Sequence, residues 1–207
     1  PHFLFNTLTA ISWMAYSHED TETANMVEAL GRMMRTVTDN SRSLVTVGTD
    51  LQMVEDYLFI QKFRFRSRLQ VEIDISDEAR QQMIPRISIH PLVENSVTYA
   101  MEEQLSVCRI RIFDRLGPEC TEIVVEDNGP GFSENILNEL ENGEEQAKGS
   151  GTALRNIHRR LQYTFSEEYG LVFHRLETGM QVIIRIPGNM GGKTETGEEE
   201  KMVWGKE

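Results

Sequence analysis

The feature that most constrains this chain is a change of hydrophobic period near residue 67. Before it, "FLFNTLTAISWMAY", "TETANMVEALGRMMRTVTDN" and "TDLQMVEDYLFIQKFRF" repeat apolar residues at three- and four-residue steps, the spacing of amphipathic helices. From "LQVEIDIS" onward, short alternating strand-like runs mix with helical ones. A chain carrying both periods is predicted to be α+β, with three short helices of a bundle followed by a mixed sheet layered on helices. The boundary falls between residues 67 and 85, with Pro85 as punctuation, so that 1–66 is helical and 67–187 carries the sheet. The stretch 188–207, "GNMGGKTETGEEEKMVWGKE", is rich in Gly and Glu and is expected to be a disordered acidic tail.

With 207 residues, 39% of them hydrophobic, the chain can bury a real core. Its formal net charge of -12 disfavours a nucleic-acid surface, which needs an excess of Lys and Arg to neutralise phosphates. Any polyanion it binds has to be small and locally compensated. No apolar run is long enough to span a membrane, so no membrane contact is expected within these residues. The absence of an initiator methionine implies a cut inside a longer protein. Cys108 and Cys120 sit in runs joined by a Gly117-Pro118 turn, and a hairpin about that turn holds them apart. Reduced thiols and a cytosolic setting follow.

The chain opens "PHFLFNTL". On a helix, Leu4, Leu8, Ile11 and Ala15 form one stripe expected to be buried, and His2 points away from it toward solvent. Pro1 suits a first helical turn. A solvent-facing histidine can be reached by another group, and it can equally be idle.

Three further stretches bear chemistry. In "VEDNGPGF" a β-branched run ends in a carboxylate, and Gly129 and Gly131 let backbone come close to a ligand. Asp127 can accept a hydrogen bond from an exocyclic amine such as that of adenine, although many hairpins also end in Asp-Asn-Gly. In "PRISIHPLVENSVTYAMEE" one helical face carries Ile89, Leu92, Val93, Val97 and Ala100. The opposite face carries Asn95, Thr98 and Glu102, with Glu94 at the border, and such oxygen ligands suit Mg²⁺. In "KGSGTALRNIHRRLQYTF" a glycine-rich loop feeds a helix whose first N–H groups can cradle phosphates, without a Walker ending. Between the glycine motifs, "SENILNELENGEEQAK" has the composition of a mobile lid.

These elements in this order resemble the sensor histidine kinases of the LytS/YesM type, whose ATPase domain is a Bergerat-type α/β sandwich. "PHFLFNTL" resembles that family's phosphoacceptor box, "PLVENSV" its N box, "DNGPGF" its first glycine box and "GSGTALRNIHRRL" its second. "VTVGTDLQMVEDYLFIQKFRF" and "EEYGL" resemble further stretches, and the likeness covers roughly residues 1 to 187. The resemblance implies that 1–66 is a dimerisation and phosphoacceptor region and 67–187 an ATP-binding catalytic domain. It makes His2 the phosphoacceptor, Asn95 a Mg²⁺ ligand and Asp127 the reader of adenine. Gly129, Gly131, Gly149, Gly151, Thr152 and Leu154 then line the nucleotide pocket, and Glu94 serves as base or water-organising group. Positioning and charge neutralisation are most of what phosphoryl transfer asks of a protein.

The same resemblance implies ATP and Mg²⁺ as cofactors, a homodimer, and a response regulator whose aspartate receives the phosphate. It also implies a membrane-anchored full-length sensor in a bacterium. Three departures bear on turnover. Thr98 and Tyr99 stand where the family usually has a Lys-His pair, Ala153 replaces a glycine, and Met180 and Gln181 replace threonines. Thr98 and Ala153 motivate a rival reading, a nucleotide-binding dimeric module that signals by conformation without catalysis.

Overall fold

The computed structural model describes residues 2–39, 41–102, 106–132 and 150–188. It opens with a helical hairpin, α1 (His2–Ser17) and α2 (Thr21–Thr38). Glu19 turns the chain with a φ of 59°, and the Asp20 carboxylate caps α2 by accepting from Thr23 N–H at 3.0 Å. The face that α1 turns to α2 carries Phe5, Leu8, Ser12 and Ala15. Ser12 donates to Glu28 at 3.2 Å, and the Arg35 guanidinium lies over the Phe5 ring at 5.4 Å.

Here the structure departs from the expected stripe, because Leu4 and Ile11 are 50% and 42% exposed. Apolar residues surround most of α1, including exposed Phe3, Trp13 and Met14, and a single partner helix can cover only one side. Periodicity alone could not say which side that would be.

Strand β1 (Leu44–Thr46) leads into α3 (Val47–Phe65), where the Thr46 hydroxyl caps the helix by accepting from Thr49 N–H at 3.1 Å. There follow β2 (Leu69–Asp74), α4 (Asp77–Arg80), β3 (Met83–Pro85), α5 (His90–Glu102), β4 (Cys108–Leu116) and β5 (Cys120–Asp127). Helix α6 (Ser150–Thr164) and strands β6 (Gly170–Arg175) and β7 (Met180–Pro187) complete the described chain. A five-stranded sheet runs β2-β4-β5-β7-β6, parallel between β2 and β4 and antiparallel elsewhere, and β1 pairs with β3 in a separate ladder. This is the α+β layering that the two periods predicted.

The sheet's alternation decides what faces the helices. Ile110 and Ile112 of β4, Ile123 and Val125 of β5, and Val182, Ile184 and Ile186 of β7 point into one core, which α5 meets with Ile89, Leu92, Val93, Val97 and Ala100. The expected apolar face of α5 is therefore the buried one. Helix α6 adds Leu154, Ile157 and Leu161. Helix α3 was expected in the bundle with the hairpin, yet Val47, Leu51, Val54 and Leu58 join the sheet's core. Cys108 and Cys120 are free thiols, and burial pushes the Cys108 thiol up to about 11. No helix among the described residues is long and apolar enough to cross a membrane.

Where α2 packs on α3, an ion pair joins the two helices. Arg32 donates through Nε and Nη2 to Asp56, with Nη2 to Oδ1 at 2.7 Å, and Asp56 is 4% exposed. Removing the guanidinium leaves a buried carboxylate short of its donors, and since Arg32 is half exposed the cost falls below that of a fully buried pair. Arg32→Ala is expected to lower stability by about 2 kcal/mol in denaturant unfolding. A loss indistinguishable from zero would show that water replaces the pair at no cost.

Candidate nucleotide site

Asp127 lies on the central strand of the sheet, paired with Ile110 on one side and Met180 on the other. It continues the alternating series Ile123, Val125, so its side chain leaves the sheet on the helix side, where the core ends. Its Oδ2 accepts from Ser96 Oγ of α5 at 2.6 Å, and its Oδ1 accepts from Gly129 N–H at 2.8 Å. Burial pushes the carboxyl above the usual carboxylate range, against the lowering effect of those two donors.

The glycine requirement is steric as well as conformational. A Cβ at Gly129 would stand 3.0 Å from Asp127 Oδ1, and Gly131 has a φ of +72°. Behind the carboxylate, Gly179 passes so close that a Cβ would sit 1.7 Å from the Asp127 carbonyl oxygen. Asn128 fastens the turn to β4, accepting from Arg109 N–H at 2.7 Å and donating to Val107 O at 3.0 Å.

The cleft beside Asp127 is lined by Leu92, Ser96, Tyr99, Phe132, Met180 and Val182. Tyr99 meets Phe132 edge to face at 5.8 Å, and Phe132 meets Phe173 likewise at 5.9 Å. The open volume is only about 10 Å³, room for one water. A volume this small is less than a purine fills, with Met180 and Phe132 among the side chains that close it.

One helical step from Ser96, Asn95 is half-buried, and its Nδ2 is buried without a hydrogen-bond partner among the described residues. That Nδ2 is a hydrogen-bond donor; the metal-ligating atom of the amide would be its oxygen. Thr98 and Glu94 are exposed, and both line a groove facing Tyr57, Gln61 and Arg64 of α3. Among the described residues no cluster of three or more His, Cys, Asp or Glu side chains could hold a metal unaided. A Mg²⁺ held here could take the Asn95 amide oxygen as its protein ligand, with water and phosphates supplying the others.

Gly151 and Thr152 fall in the first turns of α6, and Leu154 is fully buried beneath it. Gly149 and the acidic stretch 133–148 lie outside the described residues, as does the tail beyond 188. His2 is exposed as expected, and Asn6, one turn on, contacts its Nδ1 at 3.2 Å. Sequence reasoning missed Ser96, Asn6 and Gly179. Ser96 carries a usable signal, being a hydroxyl one position from an amide on an otherwise apolar flank. Nothing local marks Gly179.

The raised Asp127 carboxyl has a stability consequence. The fold prefers the neutral form, so the stability this group contributes is present at low pH and is lost as pH rises through the raised value. Asn at 127 can still accept from Gly129 and donate to Ser96 Oγ. Asp127→Asn is therefore expected to melt no lower than the parent protein at about pH 7 in the absence of nucleotide. Thermal scans on acidification should show the two curves converging, and a variant that melts well below the parent at neutral pH contradicts the burial account.

Residues 1–69 match the family model described as histidine kinase. Sensor histidine kinase YesM of Bacillus subtilis is 39% identical over 188 residues, which cover 90% of this chain and 31% of that protein. Sensor protein LytS of Bacillus cereus is 31% identical over 211 residues, covering 98% of this chain and 34% of the relative. The chain thus spans about a third of the length of the curated relatives it matches. Among solved structures, the histidine kinase domain of the Erythrobacter litoralis EL346 blue-light activated kinase aligns with a TM-score of 0.52 at 16% identity, covering 90% of this chain and 96% of that one. The nucleotide-free catalytic domain of histidine kinase ThkA aligns at 0.54 and 15% identity, covering 70% and 98%. At these identities the structures speak to the fold, while over 90% or more of its length the chain is similar in sequence to the sensor histidine kinases YesM and LytS.

Proposed function

We propose that this chain is the kinase core of a two-component sensor, in which ATP bound beside Asp127 phosphorylates His2 and the phosphoryl group then passes to an aspartate of a response regulator. The observation that carries the reading is the half-buried carboxylate of Asp127, held by Ser96 and Gly129 with lone pairs to spare at the mouth of a cleft. A half-buried acceptor of this kind suits the exocyclic amine of adenine, and it disfavours bases that turn an acceptor toward it because two acceptors repel.

The other roles follow from position. The Asn95 amide oxygen would serve as the protein's ligand to Mg²⁺, which neutralises charge on the phosphates. Gly129, Gly131, Gly149, Gly151, Thr152 and Leu154 shape the pocket, with the first N–H groups of α6 directed at phosphate. Glu94, exposed on the flank of α5, is placed to organise water or accept a proton. At His2 an imidazole nitrogen forms the new bond to the γ-phosphorus while the bond to the bridging oxygen breaks and ADP departs. A nucleophilic imidazole has to be neutral, and the exposed position of His2 leaves it open to a nucleotide brought by another part of the assembly.

The unpartnered side of the hairpin supports a homodimer. Phe3, Leu4, Ile11, Trp13 and Met14 are 42% to 78% exposed on α1, and a second copy of the same hairpin would cover them symmetrically. In this reading the hairpin bears dimerisation and the phosphoacceptor, the sheet domain bears the nucleotide, and a membrane-anchored sensor lies in the rest of a longer bacterial protein.

The rival, a dimeric module that binds nucleotide and signals by shape alone, draws on Thr98 and on Met180, which fills the cleft. Incubation with γ-labelled ATP separates the two. Label on the parent protein that is absent from His2→Gln supports the kinase, and nucleotide binding without any transfer supports the rival. Asp127→Asn is expected to abolish ATP binding with the fold retained, and undiminished affinity in equilibrium titration would remove Asp127 from the adenine role.

A further inference from the structure

The turn that starts α5, Arg86 to Ile89, is gripped from three sides. Asp50 in the first turn of α3 is 2% exposed, and its carboxylate accepts from the backbone N–H groups of Ile87, Ser88 and Ile89, the last two at 3.0 and 2.8 Å. From α6, Arg160 donates to Ile87 O at 3.0 Å and reaches Ser88 Oγ at 3.5 Å. From the hairpin, the Thr36 carbonyl oxygen near the end of α2 accepts from Arg86 Nη2. Ile87 has a φ of +56°, a conformation a β-branched residue holds only when its surroundings impose it.

A carboxylate that is fully buried on behalf of three backbone donors does far more than cap a helix. It fixes where α5 begins and how it is rotated, and Asn95 and Ser96 lie within two turns of that point.

We propose that Asp50 is a positioning residue for the nucleotide cleft, acting through the 86–89 turn to set the rotation of α5 and thereby the aim of Asn95 and Ser96. The inference rests on the nucleotide-site reading above. Because Arg86 ties the same turn to α2, the route from the hairpin to the cleft passes through one small, strained piece of backbone. Arg160 steadies it from the helix on the far side.

Asn at 50 keeps the shape but has one acceptor oxygen where the carboxylate has two, so it cannot serve all three N–H groups. Asp50→Asn is expected to weaken Mg-ATP binding about tenfold in titration of the folded full chain, and to raise KM for ATP while kcat at saturation stays near the parent value. Arg160→Gln should weaken binding in the same direction. The double variant should lose less than the product of the two single losses, since both act through one turn. A folded Asp50→Asn with parental ATP affinity overturns the proposal, as do losses that multiply. If Asp50→Asn does not fold, Arg160→Gln decides alone, and unchanged affinity there overturns it. A parent protein that binds no ATP refutes the nucleotide-site reading itself, which separates the two failures.

Discussion

The burial of one carboxylate at the end of the central strand is the constraint from which the rest of the site follows. Asp127 could ionise at little cost in water. Between α5 and the sheet it is held against its own desolvation by two hydrogen bonds, from Ser96 and Gly129. Each bond imposes a condition elsewhere. Ser96 reaches Oδ2 only if α5 lies over β5 at a fixed rotation, which the packing of Leu92, Val93 and Val97 into the core provides. Gly129 reaches Oδ1 only if its backbone comes closer than a side chain would permit, and Gly179 must pass equally close behind. The sheet order that sets β5 between β4 and β7 is what makes the position central enough to be buried at all.

Much of this was legible in the sequence, for stated reasons. The shift from helical to alternating period predicted the α+β layering because each period reports a real geometry, and the apolar face of α5 was read correctly because it is uninterrupted. The turn at Asp127 was visible because its Asp-Asn-Gly-Pro-Gly run ends a β-branched stretch, although hairpins end the same way and only the order of several such motifs gives it weight. What escaped has a common cause. Leu4 and Ile11 were assigned to a buried stripe, although the direction in which α1 meets α2 is a tertiary fact, and α1 has more apolar surface than one neighbour can cover. Helix α3 was placed with the hairpin because its period matches, whereas its apolar face packs into the core of the sheet. Ser96, Asp50 and Gly179 were missed because a lone polar or small residue acquires meaning only from what lies across from it, 31 residues away for the Ser96–Asp127 bond and 37 to 39 for the Asp50 bonds.

The same long-range logic explains why the departures from the family pattern are unequal. Met180 is 1% exposed, is paired beside Asp127 and lines the cleft there. Gln181, one residue on, points to the other face of the sheet and bonds to Glu126. Two neighbouring substitutions thus fall on opposite sides of one strand, and only the first can bear on the cleft.

An overall charge of -12 looks hostile to a polyanionic ligand, yet charges further away than the Debye length, about 8 Å at physiological salt, are largely screened. What counts is the local sign. Helix α6 carries Arg155, Arg159 and Arg160 and no acidic residue, and it starts at a glycine-rich turn whose N–H groups add the positive end of the helix dipole. Among the described residues, Glu72, Glu122 and Asp56 are each paired to an arginine. Buried Asp50, which lies near Arg160, is shut away from solvent by the turn it holds. A chain can therefore be acidic in sum and still carry a cationic helix, because the arrangement of charge along each element, more than its sum, sets the local potential.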